Sequence, residues 1–189
     1  YDTKEWVEEA FQKFTVANKG CFNCPVHCSR YHEIRSGPYT GVKGATVEHH
    51  TLVALGTHCG ELKIDAIYKM NDLCNEFGLC TGPTGRVIAL AMEMYEDGKI
   101  TKADTDGIPL DWGNSDSEIR MLYKLTYRDG FGKLLAEGDY NFAKIMNALD
   151  YCLQIKGYSR YGVRGEHITL IYHMTSTRGS DHLRGLHLP

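Results

Sequence analysis

The sequence predicts a mostly α-helical protein. Apolar side chains recur at helical spacing in several segments, and glycines close those segments. No stretch shows the clear alternation, with a period of two residues, that is typical of a half-buried strand. With 42% hydrophobic and 24% charged residues among 189, the composition suits one globular unit or two small ones.

Six helices are expected along the chain. They cover residues 2–17, 46–57, 62–77, 84–96, about 115–128 and 130–147. Gly78 is expected to close the third helix as a left-handed cap. Ser115 or Ser117 is expected to cap the fifth, and Gly138 to break the sixth. The cysteine run at 21–28 is expected to form a loop or short turn, and glycines 37, 41 and 44 predict an irregular connector after it.

The charge balance narrows the function classes. A net charge of −3 argues against a nucleic-acid surface or an anionic membrane surface. No apolar run approaches the length of a membrane span, and no signal peptide opens the chain. Because the chain begins at Tyr1 rather than Met and stops just after a dense polar motif, we expect a piece of a longer polypeptide. Seven cysteines, an odd number, favour metal ligation in a reducing, anaerobic cytoplasm over a disulfide framework.

The stretch CFNCPVHC places Cys21, Cys24 and Cys28 in a C-x₂-C-x₃-C run. The first spacing lets two thiolates approach one centre from a single turn, and the third cysteine closes on the same centre. Thiolates suit iron–sulfur clusters and zinc. Zinc sites usually pair two such arms and no second arm is evident, so the run favours a cluster. Zinc and unligated thiols stay open as alternatives, and Cys80 is the first internal candidate for a fourth ligand.

Further segments follow the cysteine run in a fixed order. They are VEHHTLVALGTHCG at 47–60, NDLCNEFGLC at 71–80, DGFGKLLAEG at 129–138, KGY at 156–158, VRG at 163–165 and TSTRGSDHLRG at 175–185. The whole series resembles the tungsten-containing aldehyde ferredoxin oxidoreductase family, in its helical domains 2 and 3. The resemblance implies irregular helical domains of that type. It also implies that residues 1–189 are a fragment, with an N-terminal pterin-binding domain and a C-terminal remainder outside it.

The resemblance assigns metal and catalytic roles. It implies that Cys21, Cys24 and Cys28 hold a 4Fe–4S cluster, with the fourth thiolate downstream of Pro189 rather than at Cys80. It also implies a tungsten or molybdenum atom held by two pterins, with Glu48 and His182 nearby as catalytic groups. Oxidising a carbonyl with water releases protons, so a carboxylate and an imidazole suit that place. A solvated carboxylate and a surface or capping histidine are the structural alternatives.

The family contacts its pterins through a D-x-x-G-L-D or D-x-x-G-L-C motif. The copy here reads NEFGLC, which implies pterin contacts at Asn75, Gly78, Leu79 and Cys80. A glycine permits close approach to the edge of a flat ring. Asn75 stands where Asp is usual, so it keeps a hydrogen-bonding oxygen without the charge. The same segment also suits a plain helix cap followed by a turn.

The resemblance implies an oxidoreductase that converts small aldehydes to carboxylic acids and passes electrons to ferredoxin or another carrier. Two alternatives stay open. One is a tungsten reductase of aromatic acyl-thioesters in the same family, in which a cysteine replaces Glu48. The other is a plain iron–sulfur electron-transfer protein. His49 and His50 stand where the family often has an aromatic and an acidic residue, which leaves the substrate open. The choice of metal and the oligomeric state, a homodimer among the options, are open too.

Overall fold

A computed structural model describes residues 8–27, 29–45, 47–159, 171 and 173–180. As predicted, the fold is mostly α-helical. The helices are α1 Glu8–Gln12, α2 His49–Leu52, α3 Ile64–Phe77, α4 Thr81–Glu96, α5 Ser115–Tyr127, α6 Gly132–Leu135 and α7 Gly138–Ile145. A π-helical segment at Val53–Thr57 follows α2 directly, and a 3₁₀ turn covers Leu149–Tyr151. No helix in these residues is long and apolar enough to cross a bilayer.

The chain divides into two compact units, residues 1–136 and 137–189. The first holds α1 to α6 and a sheet of three antiparallel strands in the order β1 Thr15–Lys19, β2 Ser29–Glu33, β3 Lys43–Ala45. The second holds α7 and a hairpin of β4 Gln154–Ile155 and β5 Tyr158–Ser159.

The strands correct the sequence analysis, which predicted no clear strand. β1 lies where the first helix was expected to continue, because the chain leaves α1 after Gln12. Residues 2–7 of that predicted helix lie outside the described residues. β2 and β3 pair because Gly37 and Gly41, with φ of 96° and 92°, turn the chain back on itself. The strands are short and β1 is largely exposed, so no alternation marks them in the sequence.

Helix α3 is the centre of the first unit. One of its faces carries Ile67, Met70 and Cys74 into a core completed by Leu55, Leu73 and Leu122. A second face carries Ile64 and Tyr68 against Ile34 beside the sheet. Each fully buried apolar side chain of this size stabilises the fold by about 1.5–3 kcal/mol. The helix is therefore fixed on two sides and can hold polar groups on its remaining face.

The helix ends explain the predicted boundaries. Gly78 caps α3 in the left-handed region at φ 68°, as predicted. Helix α4 starts at Thr81, earlier than predicted, because a proline is tolerated in a first turn whose N–H groups lack partners anyway. The cap of α5 is Asn114, whose side chain accepts from the backbone N–H of Ser117 at 3.2 Å. The prediction of Ser115 or Ser117 as that cap is wrong. The predicted helix over 130–147 is broken near Gly138, as expected: α6 ends at Leu135, and Gly138, at φ 79°, is the first residue of α7.

Candidate functional site

A groove of about 1050 Å³ lies beside α3 in the first unit. One wall is the chain from Thr40 to Ala45, which includes β3. Polar side chains of α3 form the facing wall, and the turn between α3 and α4 closes one end. The lining residues outside residues 40–45 are Glu48, Thr51, Lys69, Asn71, Asp72, Asn75, Glu76, Leu79, Cys80 and Thr81. The groove thus unites segments that are far apart in the sequence.

The turn between α3 and α4 is built by the left-handed cap. With Gly78 at positive φ, the Leu79 N–H reaches back to the Cys74 carbonyl at 2.8 Å. This closure satisfies a free carbonyl at the helix end. It also brings Leu79 and the exposed Cys80 to the groove beside Asn75. Gly78 itself is not among the lining residues but makes the turn that presents its neighbours.

Glu48 lies at the start of α2 on the groove. Its backbone is extended, its carbonyl accepts from the Leu52 N–H at 3.0 Å, and its side chain makes no capping hydrogen bond. The carboxylate is therefore not occupied by the helix end and is exposed at the groove. His49 and His50 follow it with ring centroids 5.7 Å apart and nearly perpendicular planes. Neither histidine is among the groove-lining residues.

Helix α2 and the π-helical segment are held against α4. Thr51 and Thr81 share a hydrogen bond of 2.9 Å between their hydroxyls. Further along, Gly85 packs on the Ala54 backbone so closely that a methyl group at Gly85 would collide with the Ala54 carbonyl. π-helical turns are rare and often lie next to functional sites. Here the segment sits one turn after Glu48, so the contacts with α4 fix the direction from which Glu48 enters the groove.

Asp72 is a groove residue that the sequence analysis missed. Its Oδ1 lies 3.3 Å from Nε2 of His32 on β2, without normal hydrogen-bond geometry, and accepts a hydrogen bond from the Asn71 side chain at 3.3 Å. His32 is 1% exposed, and its ring stacks on Tyr68 with centroids 4.2 Å apart. No sequence signal marks this arrangement, because it depends on how β2 packs against α3.

Three of the four predicted cofactor-binding residues meet at the groove, together with one predicted catalytic residue. Glu48, Asn75, Leu79 and Cys80 all line it. His182 lies outside the described residues, so its predicted role stays a prediction.

The cysteine run forms the predicted turn, between β1 and β2. The Cys24 N–H donates to the Cys21 carbonyl at 3.0 Å, Cys21 is exposed and Cys24 is half-buried. Both thiols are free, which is the donor chemistry that a cluster needs. Cys28 lies outside the described residues. Over the part of the chain that the structure describes, no three His, Cys, Asp or Glu side chains converge on a metal position.

A second group of ionisable side chains is buried away from the groove lining. Cys59, Glu61 and Glu118 are each at most 1% exposed. The thiol of Cys59 donates to the carbonyl oxygens of Ala54 and Gly85 at 3.5 and 3.4 Å. Burial raises its pKa well above the usual value, and Glu118 beside it adds to the shift. This thiol is held as a neutral packing group, not as a nucleophile.

Glu118 is the most perturbed carboxyl group. Burial, and secondarily the charge of Glu61, raise its pKa to about 9. Neither of its side-chain oxygens has a hydrogen bond that meets normal geometry within the described residues. Nearby His58 has its pKa lowered by burial and by the charge of Arg86. Burial therefore favours the neutral forms of Glu118, Cys59 and His58 near neutral pH.

Comparisons with known proteins place this geometry in a family. The model of "Aldehyde ferredoxin oxidoreductase, domains 2 & 3" matches residues 2–188. The tungsten-containing aldehyde ferredoxin oxidoreductase of Thermococcus kodakarensis is 33% identical over 175 residues, covering 91% of this chain and 28% of that protein. The corresponding Pyrococcus furiosus protein is also 33% identical, with the same coverage. The chain therefore spans less than a third of the length of these relatives.

Two further matches broaden the comparison. The aliphatic sulfonate oxidoreductase, WOR-like subunit, of Pyrococcus furiosus is 28% identical over the full chain and 30% of its own length. The active-site complex BamBC of benzoyl coenzyme A reductase, solved with 1,5-dienoyl-CoA, has a TM-score of 0.75 at 24% identity. It covers 92% of this chain and 26% of the solved chain. The solved structure supports the fold, and the family-model match over residues 2–188 decides the assignment: the chain belongs to the aldehyde ferredoxin oxidoreductase family.

Proposed function

We propose that this chain is the catalytic-groove and cluster-binding part of a tungsten–pterin oxidoreductase. In this proposal the enzyme oxidises aldehydes to carboxylic acids and passes the electrons through a 4Fe–4S cluster to ferredoxin or a similar carrier. The observation that carries it is the groove, where Glu48 meets the Asn75, Leu79 and Cys80 turn. An electron carrier with only a cluster has no use for a groove of about 1050 Å³ with this lining.

The residues present fit the proposed cofactors. Cys21 and Cys24 offer free thiols from one turn, and Cys28 would complete the set that this chain supplies to the cluster. The turn from Asn75 to Cys80 offers backbone and side-chain hydrogen-bonding groups for a flat heterocycle. When bound, the metal–pterin centre accepts two electrons from the substrate and the cluster passes them on. The rest of the proposal concerns what the side chains of this chain do.

Glu48 is proposed as the proton acceptor. The balanced reaction of an aldehyde with water gives a carboxylic acid, two protons and two electrons. An exposed carboxylate at the groove, not occupied by a capping hydrogen bond, can take one proton from the attacking water. His182 is proposed as the second polar group near the reacting carbonyl. Cytoplasmic location and ferredoxin as partner belong to the same proposal.

The test starts with the purified protein as it occurs in its source cells. Tungsten, iron, acid-labile sulfide and pterin are measured, and aldehyde-dependent reduction of a viologen dye is assayed. We expect all four components, and a loss of about 10²–10⁴-fold in turnover for Glu48→Gln. Glu76→Gln, which removes another groove carboxylate, is the matched control and should keep its activity.

Parallel assays with an aromatic acyl-thioester and with an aliphatic sulfonate separate the substrate classes. Turnover of either one without turnover of aldehydes would contradict the proposed substrate. Iron and sulfide without tungsten, molybdenum or pterin would contradict the enzyme proposal altogether and favour a plain electron carrier.

A further inference from the structure

Asp72 lies where α3, the groove and strand β2 meet in the first unit. It belongs to α3, it lines the groove, and its side chain is 20% exposed. Behind it lies His32, whose Nε2 is 3.3 Å from Oδ1. The imidazole is buried and stacked on Tyr68, also on α3, so it has one fixed orientation. A carboxylate backed by a buried, stacked histidine is held in one position.

The register of β2 with β3 leaves space for the carboxylate of Asp72. In the antiparallel pairing of β2 with β3, His32 lies opposite Gly44. Opposed residues of such a pair project to the same face of a sheet. The space that a side chain at Gly44 would take is filled by Asp72, since a Cβ there would lie 2.5 Å from Oδ1. Because Gly44 has no side chain, the Asp72 carboxylate fits against β3 at this position.

One oxygen of this carboxylate is left for a ligand. Oδ1 lies 3.3 Å from His32 Nε2, within ion-pair distance but without normal hydrogen-bond geometry, and accepts from the Asn71 amide. No hydrogen bond to Oδ2 comes from the described residues. Lys43 and Lys69 also line the groove, but neither is within ion-pair distance of Asp72. A fixed, partly exposed anionic oxygen selects a hydrogen-bond donor on its partner. Amino and ring N–H groups on the edge of a heterocycle provide such donors.

We infer that Asp72 is a binding residue for the N–H edge of the organic cofactor in this groove, and that His32 is its positioning residue. This inference rests on the proposed function, because it takes the occupant to be a pterin. In this inference a negative charge at the site comes from Asp72, on α3 one turn before Asn75. Asn75 itself accepts hydrogen bonds without carrying a charge. The heterocycle is then held by Asp72 and Asn75 of α3 together with Leu79 and Cys80 of its C-terminal turn.

The test reads cofactor occupancy rather than turnover. Pterin is released from purified protein as its fluorescent oxidised derivative and counted per chain. We expect Asp72→Asn to lower occupancy by at least tenfold when cofactor is limiting, since a hydrogen bond to a charged group is lost. His32→Phe should lower it as well, whereas His32→Gln, which keeps an N–H donor, should retain most of it. Glu76→Gln is the charge-matched control and should match the wild type.

A second variant guards against a folding defect. Gly44→Ala leaves Asp72 chemically intact but pushes a methyl group into the carboxylate, so it should lower occupancy too. Far-ultraviolet circular dichroism confirms the helical content of every variant. Pterin in the wild type with full occupancy in Asp72→Asn would overturn this inference alone. A wild type without any pterin would overturn both this inference and the proposed function.

Discussion

The thiol of Cys59 donates to the carbonyl oxygen of Gly85 at 3.4 Å, which joins the turn after the π-helical segment to the second turn of α4. This bond is possible because Gly85 lets the two backbones approach closely. The same approach holds α2, and with it Glu48, against α4. The position of the proposed proton acceptor thus depends on a glycine far from it in the sequence.

The variant Gly85→Ala tests this approach. In an exposed helix the change would stabilise the protein by about 1 kcal/mol, because alanine is the better helix former. Here the added methyl group collides with the Ala54 backbone, and overpacking of this kind costs about 1–3 kcal/mol. We therefore expect a lower Tm by differential scanning fluorimetry. Ala89→Ser, a similar change at a half-buried position of α4, is the control. A higher Tm for Gly85→Ala would contradict the close packing.

Glu118 predicts a specific pH dependence of stability. Its folded pKa of about 9 lies above the ordinary value of 4.5, so the folded protein holds a proton that the unfolded chain has released. Stability from this group is complete below about pH 4.5 and declines as the pH rises toward 9. The slope is at most about 1.4 kcal/mol per pH unit. Glu118→Gln, which is neutral at every pH, should match the wild type near pH 5 and exceed it increasingly up to pH 9.

Thermal unfolding of the wild type and Glu118→Gln across that range measures this difference. Other groups titrate in both proteins, so the difference between the two curves isolates Glu118. The exposed Glu76→Gln should run parallel to the wild type at every pH. A constant offset between Glu118→Gln and the wild type would show that Glu118 is ionised in the folded protein.

The sequence predicts those features of the site that depend only on residues close together in the chain. Gly78 as a cap, the turn through Cys80 and the mainly helical fold follow from propensity and spacing within one segment. The strands and the position of Asp72 could not be predicted in this way, because they depend on the pairing of β2 with β3 and on how these strands pack against α3. His32 and Gly44 carry no local signal. Their roles depend on Asp72, which lies forty residues after His32 and twenty-eight after Gly44 and contacts both.

The N-terminal cap of α5 was also predicted at the wrong residue. The first-turn acids Asp116 and Glu118 suggested a helix start near Ser115, but the acceptor is Asn114. Asn114→Ala should lower the free energy of unfolding by about 1 kcal/mol, because the Ser117 N–H loses its partner. Asn114→Asp keeps the acceptor and should be close to the wild type. Ser117→Ala keeps the backbone N–H, so urea unfolding should show no loss of the cap.

The cysteines give a final prediction through their reactivity, which follows exposure and thiolate fraction. Cys80 is exposed at the groove, whereas burial, and secondarily Cys80, raise the pKa of Cys74 from 9.0 to about 12. At pH 8 this shift alone lowers the thiolate fraction of Cys74 by about 10³-fold. Iodoacetamide should therefore modify Cys80 in the native protein once the groove is emptied. Cys74 and Cys59 should react only after unfolding.

The same labelling reports on the cluster. Cys21 and Cys24 should be protected in the purified holoprotein and become reactive after ferricyanide and a chelator remove the iron. Peptide mass spectrometry with and without this treatment measures each site separately. Because Cys21 is exposed in the folded chain, its protection requires a bound group rather than burial. Rapid labelling of Cys21 in iron-loaded protein would therefore contradict its role as a cluster ligand.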